Sequence, residues 1–293
     1  MRIAALALCL LLTGCQTAAV PAAPEREAAV LAPIETPADP VGSTPIPVYL
    51  NGVLLARGYE KAGTCYLPLT PLCEKAHVSM DWEKTSKGFR LNLNDLHVEG
   101  RDGREYFTAS SRYIYAPEGW LIRGEELLLP TETVCRLFGI KAENDGEALR
   151  LTGRKFTLMR GGTDYYAINA SEEDVYWLAH IISAEAKGEP LVGQIAVGNV
   201  VLNRVKSELF PDTVFGVIYD TDHAIQFEPI ALGSIMEDPT EQAWVAAYLA
   251  LEGTDIVGDC LYFVNPKYAS SWFDDSLELV ARIGRHNFYD RKD

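Results

Sequence analysis

Apolar residues follow two different rhythms along this chain. From Asp174 they recur every three or four positions, at Val175, Leu178 and then Ile181 or Ile182, with Trp177 and Ala179 widening the stripe. That is the period of a helix with one face turned to a core. Ser171-Glu172-Glu173-Asp174 marks its start as a capping box and sets acids at the positive end of the helix dipole, while Gly188 and Pro190 mark its end. A second helix follows over Val192–Val205, where a Val/Ile/Leu stripe runs beside the small residues Gly193, Ala196 and Gly198, which let another helix come close. A third opens at Asp238-Pro239-Thr240-Glu241, with Asp238 as cap, Pro239 in the first position and Glu241 closing a second capping box. It carries Trp244, Ala247, Tyr248 and Leu251 and stops at Gly253.

Before Gly153 the rhythm is shorter. Thr64-Cys65-Tyr66-Leu67-Pro68-Leu69-Thr70-Pro71-Leu72-Cys73 can be laid over Glu126-Leu127-Leu128-Leu129-Pro130-Thr131-Glu132-Thr133-Val134-Cys135, so that Pro68 and Pro130, like Cys73 and Cys135, stand 62 positions apart. Each copy reads as a β-rich run, a Pro that opens a helix at its first turn, an amphipathic helix and a further strand. The further strands are Val78-Ser79-Met80-Asp81-Trp82 and Ile140-Lys141-Ala142. The expected fold class is α+β: a small two-repeat α+β domain over 48–153, with Val48–Val53 before the first copy, then a mainly α domain over 171–293. The polar, Gly-bearing stretch 155–170 serves as the boundary.

The N-terminus adds a compartment. Residues 1–15 join the basic Met1-Arg2 to an apolar run from Ile3 to Leu12, of signal-peptide length and too short to span a bilayer, and close on Leu12-Thr13-Gly14-Cys15. That ending resembles the lipobox of bacterial lipoproteins. It implies acylation of Cys15, a membrane tether and an extracytoplasmic mature chain. Residues 16–47 are rich in Pro and Ala without apolar period and read as a semi-rigid tether. Cys65, Cys73, Cys135 and Cys260 lie outside the leader; one disulfide among them suits that compartment, no pair is singled out, and none has zinc-site spacing. A net charge of −15, from 26 Lys and Arg against 41 Asp and Glu, argues against nucleic acid as a partner, because phosphate binding needs clustered cations.

Against this background one carboxylate stands out. Glu185 follows Ile181 by four residues and Ile182 by three, so it continues the core-facing stripe just before the helix breaks. Partial desolvation and the negative end of the helix dipole both disfavour its charged form, which suits a group that must hold a proton near neutral pH.

Two resemblances to known families give these patterns a name. The repeat region resembles the small α+β domain named for the N-terminal domain of copper amine oxidases, which implies no copper site here; His77 and His97 are read as ordinary surface or core residues. From Asp174 onward, Ala184-Glu185-Ala186-Lys187-Gly188-Glu189-Pro190, Gly193-Gln194, Val201-Leu202-Asn203-Arg204-Val205, Gln226-Phe227, Tyr262-Phe263-Val264-Asn265-Pro266 and Ile283-Gly284-Arg285-His286-Asn287-Phe288-Tyr289 resemble the catalytic domain of bacterial spore-cortex-lytic and related cell wall hydrolases. Lys187 and Arg285 depart from the family pattern, which usually has Arg and Asn there.

The resemblance implies a lysozyme-like helical fold related to lytic transglycosylases, with Glu185 as the catalytic acid and peptidoglycan glycan strands as the substrate. It implies no cofactor and no metal. In a single-Glu route the sugar's own C6 hydroxyl is the nucleophile and a 1,6-anhydro muramic end results. A muramidase route needs a second carboxylate, for which Glu189, Asp222 and Glu228 are candidates. Gln226, Asn265 and His286 are expected to bind sugar hydroxyls, and Phe227, Tyr262 and Tyr289 to stack on sugar faces. Two readings of other classes remain beside it: a zinc-dependent amide hydrolase using His180, His223 and His286, and a non-catalytic peptidoglycan-binding lipoprotein.

Overall fold

The computed structural model describes residues 37–160, 170–220 and 233–292. The expected signal peptide with Cys15, most of the expected tether, and Gln226 and Phe227 lie outside the described residues. Strand β1 (Thr44–Leu50) turns into β2 (Val53–Lys61) through Asn51-Gly52, both at positive φ, the dipeptide favoured in two-residue hairpin turns. β1 therefore begins inside the stretch expected to be tether. Its Pro45 and Pro47 precede Val48, where the parallel partner β12 (Leu149–Thr152) begins to pair, so their missing N–H groups fall where that edge is unpaired. Asp39, also within that stretch, accepts hydrogen bonds from Tyr59 Oη at 2.8 Å and Arg123 Nε at 3.2 Å.

The two repeats meet edge to edge in one sheet. β3 (Thr64–Pro68) leads to α1 (Thr70–Ala76), and β10 (Glu126–Pro130) leads to α2 (Thr131–Phe138). β3 and β10 are antiparallel neighbours with Pro68 opposite Leu128, Leu67 opposite Leu129 and Tyr66 opposite Pro130. Pro68 is the repeat counterpart of Pro130, and Tyr66 of Leu128, so the register is symmetric about the Leu67–Leu129 pair. The repeated Pro ends its strand rather than opening its helix: α1 carries Pro71 in its first turn instead, and Pro130 is the N-cap of α2. The copies then diverge. β4 (Met80–Thr85) starts a five-stranded antiparallel meander with β5 (Gly88–Leu93), β6 (Leu96–Arg101), β7 (Tyr106–Ala109) and β8 (Arg112–Tyr115). β11 (Lys141–Asn144) instead closes one edge of a seven-stranded sheet whose other edge is β9 (Leu121–Arg123). One hydrophobic cluster joins both sheets, with Phe89 edge-on to Phe107 at 5.3 Å and to Trp120 at 5.1 Å. The overall class is α+β.

In the second region α3 (Glu172–Ala186) starts at the expected capping box: Asp174 N donates to Ser171 Oγ at 3.2 Å and Ser171 N to Asp174 Oδ2 at 2.8 Å. Its stripe of Leu178, Ile181 and Ile182 is fully buried against α4 (Leu191–Lys206) and α6 (Glu241–Leu251), with the short α5 (Val214–Ile218) beside them. Gly198 is a point of tight helix packing, since a Cβ there would stand 3.0 Å from Ile182 Cδ1 and 3.2 Å from Ala250 Cβ. α6 begins later than the sequence suggests. Its N-cap is Thr240, whose Oγ1 accepts from Ala243 N at 3.1 Å; Thr240 N in turn donates to Ser183 Oγ at 3.3 Å, so the cap also fastens α6 to α3. β13 (Tyr262–Val264) precedes the short α7 (Ser271–Ser276) and, with β14 (Leu277–Ile283) and β15 (His286–Arg291) that follow it, forms a three-stranded sheet with β15 in the middle.

The two regions are not beads on a string. Arg112 on β8 binds Glu252, the C-cap of α6, through Nε to Oε1 at 2.7 Å and Nη2 to Oε2 at 2.5 Å. Arg136 from α2 donates to the Glu252 carbonyl. Tyr113 stacks on Tyr248 with centroids 5.1 Å apart, and Tyr106 joins the helical core. Residues Pro37–Asp293 form one compact unit. Cys65, Cys73, Cys135 and Cys260 are all free thiols, so the disulfide that the compartment would suit is not formed.

Candidate active site

The last turn of α3 brings Glu185 out of the core stripe half-buried. Facing it across the helix packing is α4, and the relevant residue there is Arg204. Arg204 follows Val200 by four positions and Val201 by three, both fully buried, so its guanidinium continues the inward stripe of its own helix. It is 4% exposed, donates from Nε to Leu261 O at 2.8 Å and lies over the rings of Phe210 at 4.9 Å and Tyr262 at 5.7 Å. Burial pushes its pKa down to about 10, against the pull of Tyr262, Asp220 and Glu185. It therefore remains a cation at neutral pH. Glu185 and Asp220 both lie within the field of this buried charge.

Arg204 and the 8% exposed Asp220 were not singled out as site residues by sequence reasoning. The signal was available for Arg204: an arginine at i+3 and i+4 from core valines on an otherwise apolar stripe. Asp220 has no comparable periodic cue.

Behind Glu185 the chain turns through Gly188-Glu189-Pro190 into α4, and a second arginine fixes the turn. Glu189, 6% exposed, accepts from Arg285 N at 2.9 Å and from Arg285 Nε at 2.5 Å. Burial pushes the Glu189 carboxyl up, but the backbone N–H and guanidinium of Arg285, with a smaller contribution from His286, outweigh it and hold the group below the ordinary carboxylate value. Gly284 makes the contact fit: at φ +56° it turns β14 into β15, and a Cβ there would fall 1.9 Å from Glu189 Oε2. A carboxylate so enclosed and paired is not poised to activate a water, which removes Glu189 from the candidates for a second catalytic carboxylate. Asp222 and Glu228 lie outside the described residues. Lys187, the other departure from the family pattern, pairs with Glu237 at 3.0 Å on the surface.

The expected substrate-binding residues do not share one face. Tyr262, half-buried, sits against Arg204 and 5.9 Å from Trp272, and so belongs to the Glu185 neighbourhood. Tyr289 is opposite Tyr262 in the β13–β15 ladder but only 1% exposed; a ring so covered offers no face to a sugar. His286 alternates to the other face, 8% exposed and edge-on to Phe263 at 5.4 Å, with Nδ1 buried and without a hydrogen-bond partner among the described residues. Burial lowers its pKa, Glu189 opposing and Arg285 reinforcing the effect, so the ring is neutral at neutral pH. Both residues are enclosed because β15 is the central strand of its sheet. Asn265 uses its side-chain oxygen to accept from Lys267 N at 3.0 Å and shape the turn after β13. His180 is buried with Nδ1 on Ile235 O at 2.7 Å, and His223 lies outside the described residues. Among the described residues no three of His, Cys, Asp and Glu gather as a metal site, and no helix is long and apolar enough to cross a membrane.

Known proteins share this region. The sequence pattern of a family described as Cell Wall Hydrolase matches residues 188–289, opening just after Glu185. A spore cortex-lytic enzyme of Oceanobacillus iheyensis is 40% identical over 118 residues, which make up 40% of this chain and 42% of that protein. Another, from Halalkalibacterium halodurans, is 42% identical over 118 residues, 40% of this chain and 35% of that protein. The chain thus spans well under half the length of these curated relatives. Among solved structures, the catalytic domain of the germination-specific lytic transglycosylase SleB from Bacillus anthracis is 38% identical; the match covers 41% of this chain and 97% of that one, with a TM-score of 0.38. The SleB catalytic domain from Bacillus cereus is 37% identical, with 44% and 98% covered and a TM-score of 0.39.

Proposed function

Because the chain belongs to the cell wall hydrolase family through its C-terminal region, we propose that it degrades peptidoglycan, cleaving the glycan strand between N-acetylmuramic acid and N-acetylglucosamine. Glu185 gives its proton to the leaving glycosidic oxygen as the C1–O bond breaks. It then accepts the proton of the muramic C6 hydroxyl as that oxygen closes on C1, leaving a 1,6-anhydro end and a carboxylic acid ready for the next cycle. The observation that carries this reading is the placement of Glu185: a half-buried carboxylate on the last turn of α3, three residues before the segment matched to the family and within the field of the buried Arg204. Arg204 stabilises the carboxylate that forms once the proton has left, while Asp220, pulling on the same guanidinium, moderates it. No cofactor enters the scheme. The pairing of Glu189 with Arg285 favours the single-carboxylate route over hydrolysis by a Glu185–Glu189 couple.

The remainder of the proposal concerns location. Cys15 carries lipid, residues 16–36 span the gap from a bacterial membrane, and the repeat region positions the enzyme on the wall from the extracytoplasmic side. Glu185→Gln tests the catalytic core of the reading. Release of soluble glycan fragments from purified peptidoglycan is expected to fall by at least about a hundredfold, the scale of losing general acid catalysis, with the thermal unfolding midpoint unchanged. Full activity in that variant would refute the role of Glu185.

A further inference from the structure

Two clefts, of about 290 and 620 Å³, open along the junction between the β-rich and helical regions. Both are lined by Arg104, Tyr106, Glu241 and Val245, so they adjoin as one furrow. One end reaches Arg101, Tyr113 and Trp244; the other reaches Leu191, the first residue of α4 after the turn that follows Glu185. We propose that this furrow is a second binding site for peptidoglycan, holding a stretch of glycan strand apart from the cleavage centre. The proposal rests on the functional reading above for the identity of the polymer.

The lining has the chemistry such a ligand needs. Tyr113, one face of which is stacked on Tyr248, and Trp244 line the furrow with aromatic surface, and the planar guanidinium and carboxylate groups of Arg101, Arg104 and Glu241 suit pairs of neighbouring hydroxyls. Charge matters as well. Arg101 and Arg104 stand in the lining beside Glu99, Glu105 and Glu241, so the furrow is a mixed-charge surface suited to neutral sugar hydroxyls rather than a cationic channel.

The carboxylate partners of these two arginines are exposed, while Arg104 is also anchored by donating to Tyr106 Oη. Arg101 pairs with Glu99 at 3.1 Å with side chains 56% and 36% exposed, and Arg104 with Glu241 at 3.3 Å with 39% and 80% exposed. Exposed pairs of this kind contribute little and are readily exchanged for a ligand group. The walls, by contrast, are fixed. The buried Arg112–Glu252 pair and the Tyr113–Tyr248 stack hold β8 on α6, so the furrow exists before the ligand arrives and little ordering cost falls on binding.

The test uses the full chain carrying Glu185→Gln, so that the polymer is not degraded, and purified sacculi as the probe in a pelleting titration. Adding Trp244→Ala or, separately, Arg101→Glu is expected to weaken binding about tenfold. Arg101 is on the surface, so Arg101→Glu decides the matter if Trp244→Ala lowers the unfolding midpoint. In the otherwise native chain, Arg101→Glu is expected to leave cleavage of short soluble glycan fragments unchanged while slowing that of intact sacculi. Unchanged sacculus binding in Arg101→Glu overturns the furrow. If the native chain cleaves and the furrow variants bind like their parent, the furrow alone is wrong; if the native chain releases no fragments, the functional reading fails instead.

Discussion

The junction and the turn behind Glu185 each set an arginine against a glutamate, and they do so in opposite ways. At the junction both ions are out of water: Arg112 is 5% and Glu252 0% exposed, with the guanidinium bidentate and Arg136 supporting the same residue. At the turn only the carboxylate is enclosed, Glu189 at 3% while Arg285 remains 66% exposed. The first pair fastens two regions that are remote in sequence. The second fixes one hairpin against one helix start and keeps its cation in solvent. An arginine–glutamate contact therefore does not have one energetic meaning in this molecule; what matters is which partner has nowhere to go when the other is removed.

Substitutions put numbers on that contrast. The largest loss is expected for Arg112→Met, about 3–5 kcal/mol in a denaturant titration, because the buried Glu252 carboxylate loses its bidentate partner and keeps only Arg136, 3.7 Å away. Glu252→Gln is expected to cost nearly as much, since Arg112 is equally enclosed. A loss below about 1 kcal/mol in either would show that water reaches the junction. At the turn the two halves should differ. Arg285→Ala leaves Glu189 buried with only a backbone N–H and is expected to cost about 2–3 kcal/mol, whereas Glu189→Gln releases Arg285 to water and costs about 1 kcal/mol. Equal losses would erase the distinction drawn here.

The turn also carries a pH signature. The Glu189 carboxyl is held below its ordinary value, so its stabilisation is fully present above the unfolded carboxylate value of about 4.3 and fades as pH falls through the lower folded value. The gap between the native chain and Arg285→Ala in unfolding free energy is therefore expected to shrink in acid; a gap that widened there would reverse the sign of the interaction. The smallest effect belongs to Lys187→Ala. Its pair with Glu237 has side chains 58% and 63% exposed, and a change within about 0.5 kcal/mol is expected in the same titration.

The same contrast explains what sequence patterns could and could not reveal. Helices α3 and α4, the capping box at Ser171 and the break at Pro190 were legible because they depend on local spacing and local hydrogen bonds. The repeat was legible for a similar reason, since Pro68/Pro130 and Cys73/Cys135 recur at one offset. The Asn51-Gly52 turn carried a hairpin signal that the strand reading of Val48–Val53 passed over. The start of α6 was misjudged because Asp238 and Thr240 are both good caps, and the choice between them was made by Ser183, far away in sequence.

Arg112 and Glu252 gave no local sign of their partnership, being 140 residues apart. Nor did any pattern tell that β15 would be the middle strand of its sheet, which encloses His286 and Tyr289. Glu185 stood out through its place on a stripe, but its setting beside Arg204 and Asp220 depends on how α4 and the end of α5 pack against α3.

Everything functional in this account converges on one carboxylate acting twice, and the chemistry of the product ends tests that most directly. Purified peptidoglycan digested by the full chain and analysed by mass spectrometry is predicted to yield fragments ending in 1,6-anhydro muramic acid, the mark of attack by the sugar's own C6 hydroxyl. Fragments ending in reducing muramic acid, heavier by one water, would contradict the account, because they would require a water nucleophile and a second group to activate it.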